Sequence, residues 1–134
     1  MTLAAINWLA VLVAAVSAFI VGGIWYGPLF SKAWQALNGL SDEDVQQHAG
    51  RTFGGAFALT VVAAFGLAMI MQLHPAPGLN AGLGVGTVIG LAFVASSMGI
   101  NYLFARKSMQ LFLIDAGYLV LMFAVMGVII GAWR

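Results

Sequence analysis

Four apolar runs of membrane-spanning length, with one charged side chain among them, constrain this chain more than any other feature. They cover residues 6–26, 53–73, 79–104 and 111–133, and only Asp115 interrupts them with charge. A helix needs about 20 mostly apolar residues to cross the hydrocarbon core. Within lipid every backbone N–H and C=O must be satisfied inside the segment, so a helix is the natural form. The pattern predicts an all-α integral membrane four-helix bundle, a single domain over residues 1–134. Composition argues against a soluble alternative. The 134 residues are 63% hydrophobic and 7% charged, with a mean hydropathy of +1.03. A soluble domain carries roughly a quarter charged residues, and a small one leaves much of its surface in water.

The same composition excludes several functions. There is no cysteine, so disulfide, thiolate and iron–sulfur chemistry is absent. No basic patch suits a nucleic acid. No paired zinc-protease histidines, nucleophile elbow, phosphate-cradling loop or dinucleotide fingerprint occurs. The expectation is a protein that is not an enzyme and has no cofactor. No Lys or Arg precedes the first run, which is also too long for a signal peptide, so it reads as a retained helix.

The connections differ in character. Residues 74–78 and 105–108 allow only tight hairpins, and Gly27-Pro28 predicts an end to the first helix. The one sizeable loop, 27–52, is expected to hold short helices. One is an interfacial helix over 30–37 with Phe30, Trp34 and Leu37 on one face. A second starts after Ser41 as N-cap, with Asp42, Glu43 and Asp44 in the first turn, and is expected to extend the second span. Lys32, Arg51, Arg106 and Lys107 share one side of the membrane, against Arg134 on the other. The positive-inside rule then places both termini outside and the loops 27–52 and 105–108 in the cytoplasm. Trp8 and Trp133 would mark the outer interface, and Trp25, Tyr26, Trp34 and Tyr102 the inner one.

Small residues recur every fourth position: Ala10, Ala14, Ala18 and Gly22 in the first span, Gly78, Gly82, Gly86 and Gly90 in the third, and Gly127 and Gly131 in the fourth. In lipid such stripes let helix backbones approach closely. Four helices of this length bury little against one another, which predicts self-association as a homo-oligomer within the bilayer.

The candidate site is a polar cluster in the inner half of the bundle. Asp115 would lie roughly 6 Å into a helix starting at Leu111. Ser97 and Asn101 share a helix face, Tyr118 lies one turn beyond Asp115, and Trp25 and Tyr26 end the first span at the same depth. Two readings stay open: Asp115 paired with Arg106 or Lys107 or hydrogen-bonded to Asn101, or a proton- or cation-binding group facing a cavity between protomers. Elsewhere, Asn7, Gln72 and His74 are expected near Trp8 and Trp133. Asp44 and His48, spaced i,i+4, are too few for a metal site. The functions left open are a small homo-oligomeric transporter or channel for an ion or small molecule, and a structural subunit that binds a partner through the 27–52 loop.

The stretches Ile6-Asn7-Trp8-Leu9-Ala10, Gly23-Ile24-Trp25-Tyr26-Gly27-Pro28-Leu29-Phe30 and Ala33-Trp34, then Asn101-Tyr102-Leu103-Phe104, Leu113-Ile114-Asp115-Ala116-Gly117-Tyr118 and Gly127 through Trp133, together resemble a family of small bacterial membrane proteins catalogued as domain of unknown function 1761. The resemblance implies a four-helix topology in a bacterial inner membrane and supplies no activity. It marks Asn7, Trp25, Tyr26, Asn101, Asp115 and Tyr118.

Overall fold

A computed structural model describes residues 1–134, with no strand. Four helices are long and apolar enough to cross a membrane: α1 (Trp8–Leu29), α4 (Ala49–Met71), α5 (Leu79–Phe104) and α6 (Met109–Ala132). Two short helices, α2 (Ser31–Asn38) and α3 (Asp42–Gln46), lie in the long loop. The loops 30–48 and 105–108 share one end of the bundle, hereafter the loop end. The termini and the 72–78 turn share the other.

Local chemistry sets the boundaries. Asn7 caps α1 by accepting the Ala10 N–H at 3.1 Å, and Ser108 caps α6 by accepting the Leu111 N–H at 3.1 Å. The first span does not end at Gly27-Pro28. It continues to Leu29 as a π-turn over Trp25–Leu29, closed by the Phe30 N–H donating to the Trp25 carbonyl at 2.9 Å. The wider i→i−5 register accommodates a proline that lacks the N–H an α-turn would use. The helix after Ser41 does not extend the second span either. Ser41 and Asp44 form a capping box, but Gln47 turns extended and His48 takes a left-handed φ of 58° before α4 begins at Ala49.

Packing is uneven. The core joins Ile6, Val11, Ala14 and Ala18 at and in α1, Ala64, Leu67, Ala68 and Met71 in α4, and Met122, Phe123, Met126 and Ile130 in α6. Only the half of α4 away from the loop end contributes; from Ala49 to Leu59 none of its residues is buried. The most extensive contact is between α5 and α6. A methyl on Gly82 would overlap the Gly127 carbonyl oxygen, and one on Gly86 the Phe123 carbonyl oxygen. Glycine there lets the two backbones touch, and the Gly78 N–H donates to the Gly131 carbonyl across the seam at 2.8 Å. Gly90 continues it against Val120. Within α5, a second π-turn spans Ile89–Ala95.

Candidate functional site

Near the loop end, α1, α5 and α6 converge on Asp115. The Tyr26 hydroxyl donates to its Oδ1 at 2.7 Å, and the Tyr102 hydroxyl donates to its Oδ2 at 2.5 Å. Tyr26 sits on the π-turn of α1, Tyr102 two residues before the end of α5, and Asp115 in the second turn of α6. Because α6 starts at Met109, the carboxyl group lies roughly 9 Å along the helix at about 1.5 Å per residue, deeper than a start at Leu111 implies. An Asp near a helix centre costs about 2.5–3.5 kcal/mol on insertion scales. Interhelical hydrogen bonds in a membrane contribute about 0.6–2 kcal/mol each, so two tyrosine donors offset a large part of such a cost.

Aromatic rings wall this cluster. Tyr26 packs edge-on against Tyr118 at 5.3 Å and against Trp34 of α2 at 5.9 Å. Trp25 packs on Phe30 at 4.9 Å, and its indole N–H donates to the Ile114 carbonyl at 2.9 Å. Tyr102 packs on Phe112 at 6.1 Å, and Lys107 places Nζ 4.7 Å from the centre of the Tyr102 ring. A cation over a phenol ring is held by the ring quadrupole. Lys107 is therefore linked to Asp115 through Tyr102, not by a direct ion pair. Tyr118 donates elsewhere, to the Ala18 carbonyl at 2.9 Å, and its hydroxyl lies where a methyl on Gly22 would touch it at 3.0 Å.

The structure thus brings Asp115, Tyr26, Trp25 and Tyr118 together and leaves Ser97 and Asn101 outside. Both are exposed on the outer face of α5 and neither touches Asp115. The expected partners Arg106, Lys107 and Asn101 are replaced by two tyrosines. Tyr102 is the residue that sequence reasoning missed as a ligand of Asp115, having marked it only as an interfacial aromatic. The cause is the π-turn at Ile89–Ala95, which takes in one extra residue. A uniform α-helix running on from the buried Gly90 at about 3.6 residues per turn would bring Ser97 and Asn101 towards α6; one added residue brings Met98 and Tyr102 instead. The packing positions fall as described above: Ala14 and Ala18 fully buried, and Gly78, Gly82, Gly86 and Gly90 along α6.

At the far end, Gln72 exchanges hydrogen bonds with the Thr2 backbone at 2.8 and 3.0 Å, and Asn7 donates to the Trp133 carbonyl at 2.8 Å. Asn7, Gln72 and Arg134 line a cavity of about 30 Å³ there. His74 stays within its own turn, bonded to the Ala76 backbone at 2.8 Å, and Arg134 donates to its carbonyl at 3.2 Å. In the loop, Asp44 is engaged by Ser41, and no third metal-ligating side chain joins it and His48.

Comparison with protein families matches residues 9–131 to the family described as "Protein of unknown function (DUF1761)". Neither the curated proteins nor the solved structures contain a significant match to this chain.

Proposed function

This chain belongs to the DUF1761 family, described only as of unknown function, and we propose that it is a homo-oligomeric transporter or channel that engages a proton or small cation at Asp115. One observation carries the reading. The only carboxylate in any span has each oxygen met by a tyrosine hydroxyl rather than by a basic side chain. Ionisable groups within a membrane span mark ion and proton pathways by default. Neutral donors can swing away and leave the carboxylate free for a proton, a cation or water, whereas a direct ion pair would have to be broken first. On this reading the protein works by binding, not by covalent chemistry. The four basic residues at the loop end support a cytoplasmic placement of that end in a bacterial inner membrane.

Reconstitution into liposomes tests the proposal. Flux of protons, Na⁺, K⁺ and a lipophilic cation is measured for the parent and for Asp115→Asn. The expected outcome is flux of at least one of these that Asp115→Asn abolishes. Absence of any flux in the parent, or equal flux in the variant, overturns it.

The acidic helix α3 favours a second reading. Asp42, Glu43 and Asp44 are all exposed on it, which suits a basic partner docking on the loop. Crosslinking in native membranes followed by mass spectrometry then recovers a stoichiometric partner bound to residues 42–46; recovery of self-crosslinks alone removes this reading.

A further inference from the structure

Behind the Asp115 cluster lies an open-sided cavity of about 400 Å³, lined by Trp25, Phe30, Ala33, Gln110, Leu113 and Ile114. Three elements build it: the π-turn ending α1, the first turn of α2, and the start of α6. Five of its six lining residues are apolar, and Trp25 has already spent its one N–H on the Ile114 carbonyl. Gln110 is the one polar side chain in the lining, and no charged side chain is part of it. A hydrocarbon chain fits its chemistry, and at this depth of a membrane-spanning bundle the neighbouring molecules are lipids.

Charge around the cavity narrows the choice of lipid. Lys32 is exposed on α2 beside the lining residue Ala33, and Arg106 and Lys107 are exposed three to four residues before the lining residue Gln110. These are three of the five basic residues in the chain, gathered at the loop end, where a headgroup above the cavity would lie. The one acid of the spans, Asp115, is held by Tyr26 and Tyr102. We propose that this groove seats one acyl chain of an anionic phospholipid whose phosphate headgroup is held by Lys32 and Arg106, Lys107 being placed over the Tyr102 ring.

The seat is tied to the carboxylate by the backbone. Trp25 and Ile114 line the groove, and each immediately precedes a member of the cluster, Tyr26 and Asp115. A chain in the groove braces the two turns that set the Tyr26–Asp115 distance. Lipid binding here does not depend on transport, and its test reads no flux.

The experiment is native mass spectrometry of the protein released from nanodiscs of equal phosphatidylglycerol and phosphatidylethanolamine. One phosphatidylglycerol per chain is expected to persist at collision energies that strip phosphatidylethanolamine. Ala33→Phe projects a ring into the groove, obstructing it, and is expected to lose that adduct. Lys32→Gln and Arg106→Gln each weaken it roughly fivefold, the effect of one basic residue at an anionic lipid surface. Thermal stability of the unaltered chain in detergent provides a reading independent of the variants, rising with added phosphatidylglycerol and not with phosphatidylethanolamine. Equal retention of the two lipids overturns the proposal, as does an adduct that survives Ala33→Phe. A lipid-free dimer whose contact maps to Trp25 and Leu113 also overturns it, since the groove would then seat a second copy.

Discussion

Two glycines two residues apart on α5 face opposite surroundings, and this makes the α5–α6 seam measurable. A methyl on Gly82 would overlap the Gly127 carbonyl oxygen and lie 2.7 Å from its carbonyl carbon and 3.0 Å from the Gly131 Cα. A methyl on Gly84 would meet nothing within 4 Å. The obstacle at Gly82 is helix backbone, which cannot swing aside, so relief requires α5 and α6 to part by about 1 Å or more in an interior packed at crystal-like density. That separation also slackens Gly86 against Phe123 and the Gly78–Gly131 hydrogen bond. Overpacking costs about 1–3 kcal/mol, and an interhelical hydrogen bond in a membrane protein averages about 0.6 kcal/mol. Gly82→Ala is therefore expected to destabilise the fold by roughly 2–4 kcal/mol, a change of up to several hundredfold in the unfolding constant. Gly84→Ala should leave stability unchanged or raise it by up to about 1 kcal/mol, since alanine is the better helix former and meets no obstacle. The assay is SDS-driven unfolding from dodecyl maltoside micelles, followed by tryptophan fluorescence. If the two variants unfold at the same SDS fraction, backbone contact at this seam is not what holds the hairpin together.

Two further predictions concern polar groups. The Asp44 carboxyl is held below the usual carboxylate range by the Ser41 backbone N–H and then by the Ser41 hydroxyl, so its contribution to α3 is present above that range and is lost as pH falls through the lowered value. NMR of the Ser41 and Asp44 amides should show the cap fraying at the acid end of a titration, and fraying that persists unchanged in Asp44→Asn would contradict this. Double-mutant cycles of Asp115→Ala with Tyr26→Phe and with Tyr102→Phe should each give a coupling of about 0.6–2 kcal/mol, and the cycle with Asn101→Ala about zero; coupling confined to Asn101 would reverse the assignment.

The spans were legible because hydropathy depends on which residues are present, not on how the helix is rotated. Rotation was the missing quantity. Ser97 and Asn101 attract attention as the polar pair of α5, and only the π-turn at Ile89–Ala95 turns them outward. Its residues, Ile-Gly-Leu-Ala-Phe-Val-Ala, have no composition that separates a π-turn from an α-turn. One signal was present all the same: the four-residue spacing Gly78, Gly82, Gly86, Gly90, carried onward, passes through Val94 and Met98 and lands on Tyr102. Gly27-Pro28 misleads for a related reason. Proline stops an α-helix, but a single wider turn at its end absorbs it and carries Tyr26 to the carboxylate. Helix α3 followed its Ser41 cap and α2 its apolar face, whereas the break at Gln47-His48 depended on a left-handed residue with no glycine to announce it.

The one-sided anchoring of α4 has a mechanical consequence. Ala64, Leu67, Ala68 and Met71 clamp one half of the helix, and along the other half the aromatic contact is Phe57 on Phe19 at 5.4 Å. Such a helix is a cantilever in the bilayer. Its inclination is set by hydrophobic thickness at the free half, where mismatch costs fractions of a kcal/mol per Å, while α5 and α6, joined backbone to backbone, cannot follow. A thinner bilayer is therefore expected to tilt the free half of α4 more than the α5–α6 pair, whose backbones are in contact.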